Sequence, residues 1–547
     1  MTISINLPKC RIDEANAGGY WPNRLITDYL DEAVARHPEK AAIIGHAEPT
    51  GEAFTMTHAR LKAAADRMAL ALVALGVEAN DVVACQLPNR WEMVALYLGV
   101  ARIGAVINPL VSIYRRRELE FMLNQSEAKV LVTPGMYRNF DYQTMARDLA
   151  REVPTLRHVF ALGGEGEDDF NAHFLDRDWE SEIDAAALFD QRRPHPDAVT
   201  ELLYTSGTTG EPKGVLHTSN TLLSLLKLHI ERIGVDGDEI ILQSAPMAHQ
   251  AGFLHGLIMP IMVGATAVLQ DIWDPDEAVR LIERYRVTYS MGATTFLADL
   301  ADSPEVASAD LDSFRVYVTA GAPIPSSVVR RATERLNAQV ISGWGMSEFG
   351  TGSCTLPDDP LEKIFNTDGV PFPGIHMRVA DENGEKVSTN SEGRLLVRGV
   401  SQFVGYLNRP DLDVSDSEGW FDTGDLACMD GDGYIRITGR SKDIIIRGGT
   451  NIPVVEIEEQ LHRHPAVKDV AVVAMPDPRL GEKACAFVVT RPGSSLDFDE
   501  MIAFLLAADM SKTYLPERLE LIGDMPRTAS GKIQKYKLRE QTEEFAN

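Results

Sequence analysis

From about residue 25 to 435, short β-branched runs alternate with segments of helical period, and no other feature restricts the fold as much. Asp81 to Cys85, Lys129 to Val132, Glu239 to Leu242, Val287 to Ser290 and Arg315 to Thr319 are such runs. Strands of this kind separated by helices build sheets with helices on their faces. The expected class is therefore α/β, with a large layered N-terminal domain. At 547 residues the chain is long enough for two or more compact units. Neither a solenoid-type repeat nor a low-complexity tract is visible. Phe253 to Leu269 comes nearest to a membrane span, but His255, Pro260 and Gly264 interrupt it and it is barely long enough to cross a bilayer. It reads as a buried helix running into a strand, broken at Gly264. Asp302 to Asp312, rich in Asp, Ser and Ala, reads as a surface connection.

The texture changes near residue 431. Asp430-Gly431-Asp432-Gly433 signals a turn, Tyr434 to Thr438 a strand, and Gly439-Arg440-Ser441-Lys442-Asp443 a polar link. Strands at Ile444 to Ile446, Val470 to Ala474 and Ala484 to Val489, with helices at Val454 to His462 and Phe498 to Ala507, then make a small α+β unit of ordinary domain size. The division falls at 1–439 and 440–547.

Lys and Arg number 53 against 80 Asp and Glu, a net charge of −27. Such a field repels nucleic acid and anionic membrane surfaces, so neither is an expected partner. Cys10, Cys85, Cys354, Cys428 and Cys485 are scattered without a CxxC pair or a His cluster, which suggests neither a disulfide framework nor a zinc site. Met1 to Pro8 shows no signal-peptide pattern. A cytoplasmic location without integral membrane association is expected.

One loop carries more chemistry than its surroundings. Thr205-Ser206-Gly207-Thr208-Thr209-Gly210-Glu211-Pro212-Lys213-Gly214 follows an apolar strand and gathers three glycines, four hydroxyls and a lysine. Backbone N–H groups turned inward, hydroxyl donors and one ammonium suit a triphosphate. It is not a Walker A loop, because Pro212 precedes Lys213 and Gly214 follows it. The pattern resembles the signature of the adenylate-forming superfamily of acyl-CoA synthetases, luciferases and nonribosomal adenylation domains. Further motifs keep that family's order from about residue 25 to 540. The texture, Ile445 to Ile452 included, is most similar to short/medium-chain fatty acid and cyclohexanecarboxylate CoA ligases.

The resemblance implies an ATP-dependent carboxylic acid:CoA ligase that forms acyl-AMP and pyrophosphate, then acyl-CoA and AMP. ATP, Mg²⁺ and coenzyme A would serve it, a small-molecule acid would be its partner, and a homodimer is allowed. By the same resemblance, Thr205, Ser206, Gly207, Thr208, Thr209, Gly210 and Lys213 hold phosphates, and Gly321-Ala322-Pro323 forms the adenine-side turn. Gly343-Trp344-Gly345-Met346-Ser347-Glu348 supplies an aromatic face in Trp344, a phosphate contact in Ser347 and a Mg²⁺ ligand in Glu348, with Thr205 as a second. Trp344 and Ser347 replace the commoner Tyr and Thr conservatively. Asp425, in Thr423-Gly424-Asp425, would accept from both ribose hydroxyls, since a carboxylate offers two acceptors and no donor.

The resemblance also implies that the small domain is mobile, that Arg440 would lie near ribose and phosphate with Lys442 as the pivot, and that Gly448 and Gly449 would border the pantetheine channel. Lys532, in Pro526 to Ile533, would by the same resemblance stand against the carboxylate and the α-phosphate. Taken singly these residues are ordinary: Trp344 a core residue, Asp425 a turn aspartate, Lys532 a surface lysine.

His249 occupies the relatives' gate between ATP and the acyl pocket. No Asp or Glu lies between Ser244 and Asp271, where amino-acid-activating relatives keep an acid, so an amino-acid substrate is disfavoured. Phe253, Met291 to Thr295, Gly321 and Phe349 would line a pocket for a medium-chain, alicyclic or aromatic-type acid. The alternatives are an adenylate-forming enzyme that passes the acyl group to a carrier protein or to O₂, and a non-enzymatic relative. The carrier route finds no carrier domain before Asn547, and the non-enzymatic reading is disfavoured by the presence of Lys213, Glu348, Asp425, Arg440 and Lys532.

Overall fold

The computed structural model describes residues 3–47, 52–205, 212–322, 324–447, 450–528, 531–543 and 545. Among them, nine strands form the largest sheet in the order 370–371, 350–354, 339–346, 316–319, 289–292, 240–243, 266–270, 41–47, 52–57. Its centre is parallel and its edges antiparallel. A second sheet runs 213–218, 199–205, 106–109, 82–85, 130–134, 158–162. Val82–Cys85, Val106–Pro109 and Val130–Pro134 are buried at every position, as strands covered on both faces must be.

The apolar run beginning at Phe253 is a buried helix, π-helical over Phe253–Ile258 and α-helical over Met259–Val263. Gly264 ends it at φ 70°, and the strand Thr266–Gln270 follows. Among the described residues no helix is long and apolar enough to cross a membrane. Asp302 to Asp312 is a connection holding the short 3₁₀ turn Pro304–Ala307.

A third, antiparallel sheet orders 375–380, 393–399, 421–429 and 435–440. The strand expected at Tyr434 to Thr438 is Ile435–Arg440, reaching into the segment read as a link because Asp425 and Leu426 pair with Arg440 and Gly439. Beyond it, 450–452, 445–447, 481–490 and 467–477 form a further sheet, with 518–521 beside 481–490. Its helices Val454–His462 and Phe498–Ala507 have the expected bounds. Two apolar clusters built only from residues after Ser441 fill this part, so it owns its core.

Candidate active site

Sheet ends assemble the site. Thr205 stands opposite Lys213 across an antiparallel pair, which holds the two ends of the segment 205–213 together. Ser206, Gly207, Thr208, Thr209 and Gly210 lie outside the described residues, as do Pro323, Gly448 and Gly449. In the largest sheet Gly292 pairs with Thr319, and Thr319 with Ser342. Thr294, Gly321 and the Gly343 to Glu348 segment therefore gather at the carboxyl ends of parallel strands, where open α/β sheets take ligands.

Gly321, next to half-buried Ala322, has φ 86°, and a Cβ on it would lie 3.5 Å from Lys532 Cε. Lys532 sits in a turn closed by the Thr528 N–H to its carbonyl (2.8 Å) and by its own N–H to Thr528 Oγ1 (3.1 Å). Gly531 precedes it at φ 82°, and any Cβ there would press on Thr295 Oγ1. Desolvation, then the Arg440 guanidinium, pushes the Lys532 ammonium down to about 8, against the pull of Asp425 and Glu348. Burial, with the Lys532 charge second, lowers His249 to about 3, so a neutral imidazole faces the ammonium.

Asp425 is held from both sides. Trp344 Nε1 donates to its Oδ2 at 2.8 Å, and Arg440 Nε to its Oδ1 at 2.9 Å. Trp344 is thus core and site at once: only 5% exposed, it fixes the carboxylate. Each carboxylate oxygen keeps a second lone pair, so a vicinal diol still finds two acceptors. The Asp425 charge is the main reason Arg440 is raised.

Glu348 is buried, and the Tyr406 hydroxyl donates to its Oε1 at 2.7 Å. The Lys213 ammonium lies 5.1 Å over the Tyr406 ring, so one tyrosine links Lys213 to the Glu348 carboxylate. Burial and then Glu348 raise the Tyr406 hydroxyl, which keeps it a donor. The Ser347 carbonyl accepts from His217 Nε2 at 2.7 Å, while His217 Nδ1 lies 3.0 Å from Thr221 Oγ1. A carbonyl partner assigns the proton to Nε2, and burial lowers His217 to about 4. Gly345 and Met346 are half-buried between these groups; a Cβ on Gly345 would strike Gly350 O. Exposed Lys442 offers its carbonyl to Arg539 Nη1 at 3.5 Å, and Arg539 also pairs with Asp443 at 2.7 Å.

Tyr406 and His217 escaped the sequence reading. One stands in the apolar run Phe403 to Leu407, the other in a strand, and neither carries a local signal. Only their partners identify them.

The AMP-binding enzyme family model matches residues 30–407, and that of the AMP-binding enzyme C-terminal domain matches residues 456–532. The chain belongs to the AMP-binding enzyme family. It is an acid–thiol ligase of the adenylate-forming kind. This AMP-binding enzyme is 35% identical to the medium-chain fatty-acid–CoA ligase of Escherichia coli (strain K12), over 98% of this chain and 94% of that one. It is 34% identical to the 3-[(3aS,4S,7aS)-7a-methyl-1,5-dioxo-octahydro-1H-inden-4-yl]propanoyl:CoA ligase of Mycobacterium tuberculosis, over 94% of this chain and 99% of that one. Among solved structures, ATP-bound MatB from Rhodopseudomonas palustris matches with a TM-score of 0.81 at 26% identity, covering 95% of this chain and 100% of that chain. Apo MatB matches at 0.72 with the same identity.

Proposed function

We propose that this chain joins a medium-chain, alicyclic or aromatic-type carboxylic acid to coenzyme A by two reactions at one site. Acid and ATP give acyl-AMP and pyrophosphate; acyl-AMP and coenzyme A then give acyl-CoA and AMP. The observation that carries this reading is the meeting of Lys532 with the Gly321 turn, brought about by two parts with separate cores.

An ammonium there lowers the repulsion between a carboxylate and the α-phosphate and stabilises charge as pyrophosphate leaves. Asp425 and Arg440 hold the ribose, Lys213 and Thr205 to Gly210 the phosphates, and neutral His249 gates the acyl side. Mg²⁺ takes one or two protein oxygens plus phosphate oxygens. Glu348, buried and oriented by Tyr406, and the Thr205 hydroxyl fit that donor set, and the ion would offset charge on pyrophosphate.

The small domain, taken as 440–547, is read as turning at Lys442 once the adenylate has formed, bringing Gly448 and Gly449 to the thiol channel. The free cysteines suit a reducing, cytoplasmic setting. A medium-chain and a bicyclic alicyclic acid in the names of the two relatives support the acid class.

The test is ATP–pyrophosphate exchange and coenzyme A consumption, side by side, over linear, branched, cyclic and aromatic acids. Both activities rising for one class support the ligase; exchange without thiol loss moves the acyl group to another acceptor. Lys532→Ala is expected to lower exchange by about 10²- to 10³-fold while sparing thioester formation from supplied acyl-adenylate. Gly449→Leu is expected to do the reverse.

A further inference from the structure

Three buried residues, His229, His255 and Tyr289, take part in no step above. His255 belongs to the π-helical turn that begins at Phe253. Tyr289 stands two residues before Met291 on the strand Tyr289–Gly292, so both side chains leave the same face of the sheet. Tyr289, Met291, Phe253 and Phe349 share one apolar cluster. His229, from the helix Ser219–Ile233, completes the group. His229 Nε2 lies 3.0 Å and His255 Nδ1 2.9 Å from the Tyr289 hydroxyl, and all three residues are at most 1% exposed. The imidazole centroids are 4.7 Å apart, edge to face.

Proton counting fixes what this group offers. The hydroxyl has one proton, so it donates to one imidazole and accepts from the other. The imidazole that receives carries its proton on the far nitrogen; the one that gives keeps a lone pair there. The far nitrogens, His229 Nδ1 and His255 Nε2, are both buried with no hydrogen-bond partner among the described residues. The pair therefore holds one unused donor and one unused acceptor inside the apolar cluster around Tyr289. Buried polar groups are paired as a rule, so a partner is called for. Gly292 pairs with Thr319 beside the Gly321 turn, and Tyr289 lies three residues back along the strand, about 10 Å deeper.

We infer that the His229–Tyr289–His255 group recognises a neutral hydrogen-bonding substituent, a ketone or a hydroxyl, at the far end of the acyl group. The inference rests on the ligase reading above and names its substrate class more narrowly. A second carboxylate does not fit, because an ion buried beside this group would lack a paired charge. An unsubstituted chain reaching the same depth leaves both nitrogens unsatisfied.

The experiment compares octanoate with its 7-oxo derivative in pyrophosphate exchange and coenzyme A consumption. The wild-type enzyme is expected to favour the oxo acid by about tenfold or more in kcat/KM, because a site built to hydrogen-bond a substrate group discriminates against the analogue lacking it. His255→Phe is expected to abolish or reverse that preference while octanoate is still used. His255→Gln, which restores a donor and an acceptor, is expected to recover part of it. A merely structural role would shift both acids together. Wild-type enzyme that turns over octanoate without favouring the oxo acid overturns this inference and leaves the ligase reading intact; exchange with no acid at all overturns both. The wild-type comparison decides even if His255→Phe fails to fold.

Discussion

Lys532 holds a proton that its surroundings try to remove. With the ammonium pushed down to about 8, charge is retained below that pH and lost as pH rises through it. In the enzyme free of substrates, which kcat/KM reports, exchange is expected to be level below pH 8 and to fall above it. Lys532→Arg, whose guanidinium stays charged, is expected to lower the rate and flatten that limb; an unchanged limb in the variant would assign it to another group. Tyr406 makes a second case. Tyr406→Phe keeps the ring under Lys213 and deletes the hydrogen bond to Glu348. A bond to a charged group suggests an exchange rate about tenfold lower or more. The Mg²⁺ concentration for half-maximal exchange should rise, and an unchanged Mg²⁺ requirement would refute the orienting role. Lys532 was named from a motif contiguous in sequence, whereas Tyr406 meets Glu348 across 58 residues.

Besides the approach of Lys532 to Gly321, the seam between the two parts carries polar contacts from one helix. From Val454–His462, Glu459 accepts from Ser326 Oγ at 2.7 Å and pairs with Arg436 at 3.4 Å. Arg491 reaches Asp302 at 3.4 Å. Hydrogen bonds and half-exposed ion pairs of this kind contribute on the order of 1 kcal/mol each, firm enough to favour this arrangement and weak enough to release it. Glu459→Ala is expected to lower exchange several-fold while thioester formation from supplied adenylate holds or rises. Equal loss of both half-reactions would exclude a latch. At this scale the bounds of Val454–His462 and Phe498–Ala507 were legible, because helical period is a local signal. Strand bounds were less so: Val470 to Ala474 was expected and Val467–Asp477 found, since pairing with Gly481–Thr490 holds polar ends that composition assigns to loops.

The whole molecule carries several imidazoles that must stay neutral inside it. Burial lowers His217 and His255 to about 4 and His249 to about 3, each from 6.5. The unfolded chain binds more protons than the folded one from pH 6.5 down to about 4, so stability falls as pH drops through that window. His217 and His255, both fully buried, are each worth on the order of 3 kcal/mol over it. Melting temperature measured against pH is expected to drop steeply there, and His217→Gln should flatten the slope; a flat wild-type profile would show that these rings take up protons while folded. By itself the sequence determined the α/β class, the small second unit and most of the catalytic candidates, because periodicity and contiguous motifs are properties of neighbouring residues. Only the tertiary structure decided what steadies those candidates. Tyr406 under Lys213, His217 on Ser347, Trp344 on Asp425 and the His229–Tyr289–His255 group each join residues far apart in the chain, and hydrogen bonds over such separations exist only once strand register and helix packing have set them.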